Sequence, residues 1–75
     1  MTETEIDARG LLCPLPVLKL AKRIKSLEPG DMVRLLADDP AAIVDVPHYA
    51  AESGHDLVET SDADDHQVYV LRKSA

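Results

Sequence analysis

The sequence predicts an α+β fold: a two-layer α/β sandwich of order β-α-β-α-β-β, with a four-stranded mixed sheet and two helices on one face. Three patterns carry that expectation. Apolar residues recur at helical spacing in the first third of the chain, between two short stretches that alternate or run apolar. Asp-x-Pro-like signals in the middle mark helix starts. Two strand-like runs joined by an acidic turn close the chain as a hairpin. A strand-helix-strand crossover is almost always right-handed, which commits the helices to one face and leaves the other to solvent or a partner.

The elements follow in order. "EIDAR", Glu5 to Arg9, alternates, with Ile6 and Ala8 on one side and Asp7 and Arg9 on the other, and Gly10 lets the chain turn. From Pro14 to Leu27, Val17, Leu20, Ala21, Ile24 and Leu27 form one apolar stripe, with Lys19, Lys22, Arg23 and Lys25 on the remaining faces. Pro29-Gly30 ends this helix. "DMVRLLA", Asp31 to Ala37, reads as a strand with Val33 and Leu35 toward the helices. "DDP" and "DVP" then predict a single turn from about Pro40 and a second helix from Val46 to Ser53, with Gly54 as its stop. "HDLVETS" and "QVYVLR" form the hairpin around "DADDH".

At 75 residues the chain is expected to be one domain. Such a domain buries about 60% of its unfolded surface. Its core is aliphatic, because Phe and Trp are absent and the aromatics are Tyr49 and Tyr69. The single cysteine, Cys13, allows no intrachain disulfide and suits a reducing cytoplasm. Neither a targeting segment nor an apolar span of about 20 residues is present, so no membrane association is expected. A net charge of −6 argues against direct nucleic-acid binding. The charge is uneven: Lys19, Lys22, Arg23 and Lys25 share one segment, which makes Lys19, Lys22 and Arg23 candidates for docking an acidic partner.

"GLLCPLPVL" holds the chemistry. A residue before proline avoids the α region, and proline suits the first helical position, so Cys13 is expected at the N-cap with Pro14 beginning the helix. The N–H groups of Leu15 and Val17 would then be free to point at the sulfur, and the helix N-terminus would lower the thiol below its ordinary pKa. Pro14 and Pro16 would fix the sulfur's direction, and Arg9 would add positive charge if its side chain turned back.

The residues "DARGLLCPLPVL", followed at matching intervals by "LEPGD", "ADDP" and "DVPHYAAESGHDL", resemble the TusA/SirA family of small sulfur-carrier proteins with a Cys-Pro-x-Pro motif. The resemblance runs from about Ile6 to Lys73 and implies the two-layer sandwich with Cys13 as catalytic thiol, carrying sulfur as a persulfide. Gly10, Arg9, Pro14, Leu15 and Pro16 would position that thiol. The partners it implies are a sulfur donor, a cysteine desulfurase or rhodanese, and an acceptor protein in tRNA thiolation, molybdenum-cofactor work or sulfur oxidation. It implies no metal and no cofactor. The carrier is expected to be a monomer. Leu12 stands where some relatives have Arg, Tyr49 where they often have Trp or Phe, and Ala50 where some have a second Cys.

The residues alone leave another reading open, a noncatalytic interaction module in which Cys13 is structural. A thiol redox sensor would need a second cysteine from another chain. His48, His55 and His66 match no zinc spacing; His55 reads as structural and His66 as a turn residue. Asp39 and Asp45 read as helix caps.

Overall fold

A computed structural model describes residues 3–74. Its elements are β1 (Glu3–Asp7), α1 (Leu15–Ile24), β2 (Met32–Ala37), α2 (Ala42–Ser53), β3 (Asp56–Asp62) and β4 (Gln67–Arg72), in the expected order. The sheet order is β1-β2-β4-β3. β1 runs parallel to β2, while β4 is antiparallel to both β2 and β3, so the sheet is mixed.

One sheet face and both helices share a core. Ile6, Val33, Leu35, Ala37, Tyr69 and Leu71 from the sheet meet Leu20 and Ile24 of α1 and Ala42, Val46 and Ala50 of α2. Val33 and Leu35 face the helices as their alternation requires. On the opposite face Val70 is buried among half-buried Met32, Leu36 and Val68. The pairs Arg34–Glu3 (3.9 Å) and Arg72–Asp56 (2.8 Å) lie on that face too.

Most boundaries lie within two residues of the sequence expectation, and the end of α1 and the start of α2 shift by more. β1 starts two residues earlier, at Glu3, since the alternation extends upstream. Ala8 still joins the ladder, its N–H donating to the Leu36 carbonyl at 2.8 Å. α1 ends at Ile24 because the chain tightens there: the N–H groups of Ser26 and Leu27 reach back three residues, to Arg23 and Ile24. Lys73, from the far end of the chain, donates to the Leu27 carbonyl at 2.6 Å and supplies positive charge at this helix end.

The largest difference is α2, one continuous helix from Ala42 with Pro47 inside it. Its opening turn is tight, with Ala42, Ile43 and Val44 donating to carbonyls three residues back. Pro47 deprives the Ile43 carbonyl of its intrahelical donor, but Ile43 is exposed, so water can serve. Ala42, Val46 and Ala50 form a buried i, i+4, i+8 stripe that runs straight through the proline. Burial of that stripe overrides the local start signal at Asp45. Gly54 ends α2 in the left-handed region (φ 82°), its N–H bonding the Ala50 carbonyl at 3.0 Å.

Candidate active site

The segment between β1 and α1 presents the thiol, and the segment between β2 and α2 holds it. Gly10 turns the chain with φ +83°, where a side chain would be strained. Its N–H donates to both carboxylate oxygens of Asp38, at 3.0 and 3.1 Å. Three residues on, the Cys13 N–H donates to Asp39 Oδ2 at 2.6 Å. Asp39 Oδ1 accepts from the Ala41 N–H at 3.1 Å, so one carboxylate ties the entry of α2 to the cysteine. Asp39 thus serves the turn leading into α2 rather than its cap position, which is Ala41 with no side-chain cap bond, and also clamps the thiol's backbone. Asp39→Ala is expected to destabilise the fold by about 1–2 kcal/mol in urea denaturation, and to speed exchange of the Cys13 amide hydrogen.

Cys13 is exposed, and its thiol does not cap α1. The first helical residue is Leu15, and Pro14 (φ −97°, ψ 16°) occupies the cap position with no side-chain cap bond. The Cys13–Pro14 peptide bond is cis. The Leu15 N–H, expected to face the sulfur, donates instead to the Leu12 carbonyl at 2.8 Å. Pro16 is buried, pinning the first turn of α1 to the core, while Leu12 and Leu15 are 71% and 49% exposed beside the thiol.

The Cys13 Sγ–H donates to Asp45 Oδ2 at 2.7 Å. Asp45 lies one turn into α2 and is no cap, which corrects its sequence assignment. This contact reverses the electrostatic expectation. The hydrogen bond to Asp45 is the main cause that holds the thiol above its ordinary pKa, and partial desolvation and the charges of Asp45 and Asp39 act the same way. Arg9 offers no counterweight. Its guanidinium is held by Asp7, with Nε to Oδ1 at 2.9 Å and Nη2 to Oδ2 at 3.0 Å. That fork holds the Asp7 carboxyl far below the usual carboxylate range.

Around Cys13 lies an open groove of about 260 Å³, lined by Pro14, Val17, Asp45, His48, Tyr49 and Glu52. Lys19, Lys22 and Arg23 line a separate cleft with Glu5, Ile6 and Asp7, and Lys19 Nζ donates to the Asp7 carbonyl at 2.9 Å. The two hollows share no residue, so the basic face of α1 is not brought to the thiol. The histidines are scattered: His48 faces Glu52 at 3.5 Å, His66 bonds Asp65 at 2.8 Å, and His55 Nδ1 accepts from the Ser74 N–H at 3.1 Å. His55 thereby fastens the C-terminal segment. Among the described residues no group of three or more His, Cys, Asp or Glu gathers to hold a metal.

Sequence reasoning missed Asp38 as a clamp and Asp45 as the thiol's partner. The available signal was the acidic pair of "DDP" and a carboxylate six residues past it, neither of which says which distant loop it meets.

Comparison with known proteins bears on this thiol loop. The family described as Sulfurtransferase TusA matches residues 4–73. A Pseudomonas aeruginosa protein named sulfur carrier protein TusA is 37% identical over 70 residues, covering 93% of this chain and 89% of its own. One of the same name from Allochromatium vinosum is 31% identical over 72 residues, covering 96% and 95%. The crystal structure of a SirA-like protein from Desulfitobacterium hafniense superposes with a TM-score of 0.84 at 26% identity, covering 96% of this chain and 99% of that one. With the family match spanning nearly every described residue, Cys-Pro-x-Pro loop included, the chain belongs to the TusA family.

Proposed function

We propose that this chain is a sulfur carrier in which Cys13 accepts sulfane sulfur as a persulfide and passes it to a thiol on another protein. The observation that carries the reading is an exposed cysteine on a loop fixed by Asp38 and Asp39, in a chain whose relatives bear the name sulfur carrier. A cargo atom must be reachable by two partners in turn, and Cys13 stands at the surface with Leu12 and Leu15 exposed beside it.

The chemistry needs one thiol from this chain and one from each partner. On uptake, Cys13 sulfur attacks the outer sulfur of a donor persulfide; a new S–S bond forms, the donor's S–S bond breaks, and the donor thiolate leaves with the electron pair and is protonated. Delivery is the same exchange with Cys13 as the leaving sulfur. Cysteine desulfurases and rhodaneses make such persulfides and are the donors proposed, with an acceptor in tRNA thiolation, molybdenum-cofactor work or sulfur oxidation. The lone cysteine suits a reducing cytoplasm, and no helix among the described residues is long and apolar enough to cross a membrane.

The test is delivery. Wild-type chain charged with labelled sulfane sulfur, freed of excess reagent and mixed with a thiol protein, is expected to lose label to that protein. Label that stays on the chain, or leaves only as free sulfide, counts against a carrier.

A further inference from the structure

The groove at Cys13 is acidic where a nucleophilic sulfur needs the opposite. From α2 it is lined by Asp45 and Glu52, with His48 facing Glu52 at 3.5 Å and Tyr49 half-buried between them in sequence. From the β2–α2 segment Asp39 sits against the Cys13 N–H at 2.6 Å. From the α1 side the lining is Pro14 and Val17, and no Lys or Arg lines the groove. Two cations that the sequence offered are held elsewhere, Arg9 by Asp7 and Lys19 at the Asp7 carbonyl.

An anionic sulfur beside Asp45 loses the bond it donates and stands against a like charge, so the free chain keeps its thiol neutral. Uptake requires the thiolate. Neutralising Asp45 when the donor arrives would free that thiolate, and the one basic side chain among the described residues lining the groove, His48, faces Glu52 at 3.5 Å instead.

We propose, resting on the carrier reading, that the sulfur-donating protein docks in this groove through a basic side chain, Lys or Arg, which takes over the Asp45 carboxylate and releases the Cys13 thiolate. Charge complementarity argues for that occupant: Asp45, Glu52 and Asp39 favour a cation, and the Tyr49 ring offers it an aromatic surface. The released thiolate attacks the outer sulfur of the donor persulfide, the Cys13 proton passes to solvent, and the departing donor thiolate takes one up, so charge and protons balance. The device keeps the resting carrier unreactive toward adventitious electrophiles and switches it on at the right partner.

Two measurements test it. Alkylation of the free wild-type chain by iodoacetamide across pH is expected to have its midpoint above the roughly 8.5 of an ordinary thiol. Asp45→Asn is expected to alkylate about tenfold faster at pH 7. Sulfur uptake is then compared from a cysteine desulfurase supplied with cysteine and from sodium polysulfide, which brings no basic side chain. Relative to uptake from polysulfide, which registers thiolate reactivity alone, uptake from the desulfurase at limiting concentration is expected to fall several-fold in both Asp45→Asn and Glu52→Gln. A wild-type midpoint at or below that of an ordinary thiol overturns the proposal without any variant. So does an Asp45→Asn chain that alkylates at the wild-type rate, or whose ratio of desulfurase to polysulfide uptake matches that of wild type. A wild type that gains sulfur from neither reagent removes the carrier reading, and the docking proposal with it.

Discussion

Cys13→Ser is expected to take up no sulfur while folding as the wild type does. The side chain is exposed and outside the core cluster, so its replacement opens no cavity. A serine hydroxyl can still donate to Asp45, which keeps the one side-chain bond the thiol makes. Surface substitutions of this kind shift stability by about 0.5 kcal/mol or less. Chemically the change is absolute, because the chain has one cysteine and no second thiol can substitute. Urea denaturation checks the first half and labelled-sulfur uptake the second. A serine variant that still binds label would mean that the sulfur rests on some atom other than Cys13 Sγ.

The largest effect on stability is expected at Leu35. It is fully buried on β2, paired with Ile6 on one side and Tyr69 on the other, at the centre of the helix-covered face. Leu→Ala at such a site costs about 2–5 kcal/mol, the transfer of the removed atoms plus the cavity they leave. Natural domains hold about 0.05–0.15 kcal/mol per residue, so a chain of 75 residues has on the order of 4–11 kcal/mol in all. Leu35→Ala should therefore remove a large share of it and leave a measurable unfolded population at 37 °C. Equilibrium unfolding followed by circular dichroism measures the loss. A cost below about 1 kcal/mol would show that the two layers close over the gap.

The architecture was readable because each element declares itself locally. Val33, Leu35 and Ala37 alternate on β2, and all three are fully buried. Leu20 and Ile24 repeat at helical spacing and are buried too. Gly54 stops α2 where its freedom to take positive φ is needed. What misled was local signal at odds with tertiary burial: Asp45-Val46-Pro47 looks like a helix start, but the stripe of Ala42, Val46 and Ala50 carries the helix through it.

The site was legible as a residue and not as an environment. Cys13 stands out by composition and by its prolines. Its surroundings come from hydrogen bonds that join residues 26, 28 and 32 apart in sequence, the bonds from Cys13 to Asp39, Gly10 to Asp38, and Cys13 to Asp45. No propensity or capping rule ranks these contacts, because they exist only once the segments leaving the parallel strands β1 and β2 meet at the same end of the sheet. Cap chemistry alone predicted an acidified thiol, whereas a carboxylate one turn into α2 makes it less acidic. Arg9 fails as an activator for a similar reason, since Asp7, two residues away, holds it in a fork.

Intact-protein mass after incubation with a cysteine desulfurase and cysteine tests the persulfide itself. The wild type should gain about 32 Da, one sulfur atom, lose it on treatment with a reductant, and show no gain as Cys13→Ser. A wild type that keeps its unmodified mass there and with polysulfide as well, or a serine variant that gains the same increment, would rule out Cys13 as the atom that carries sulfur.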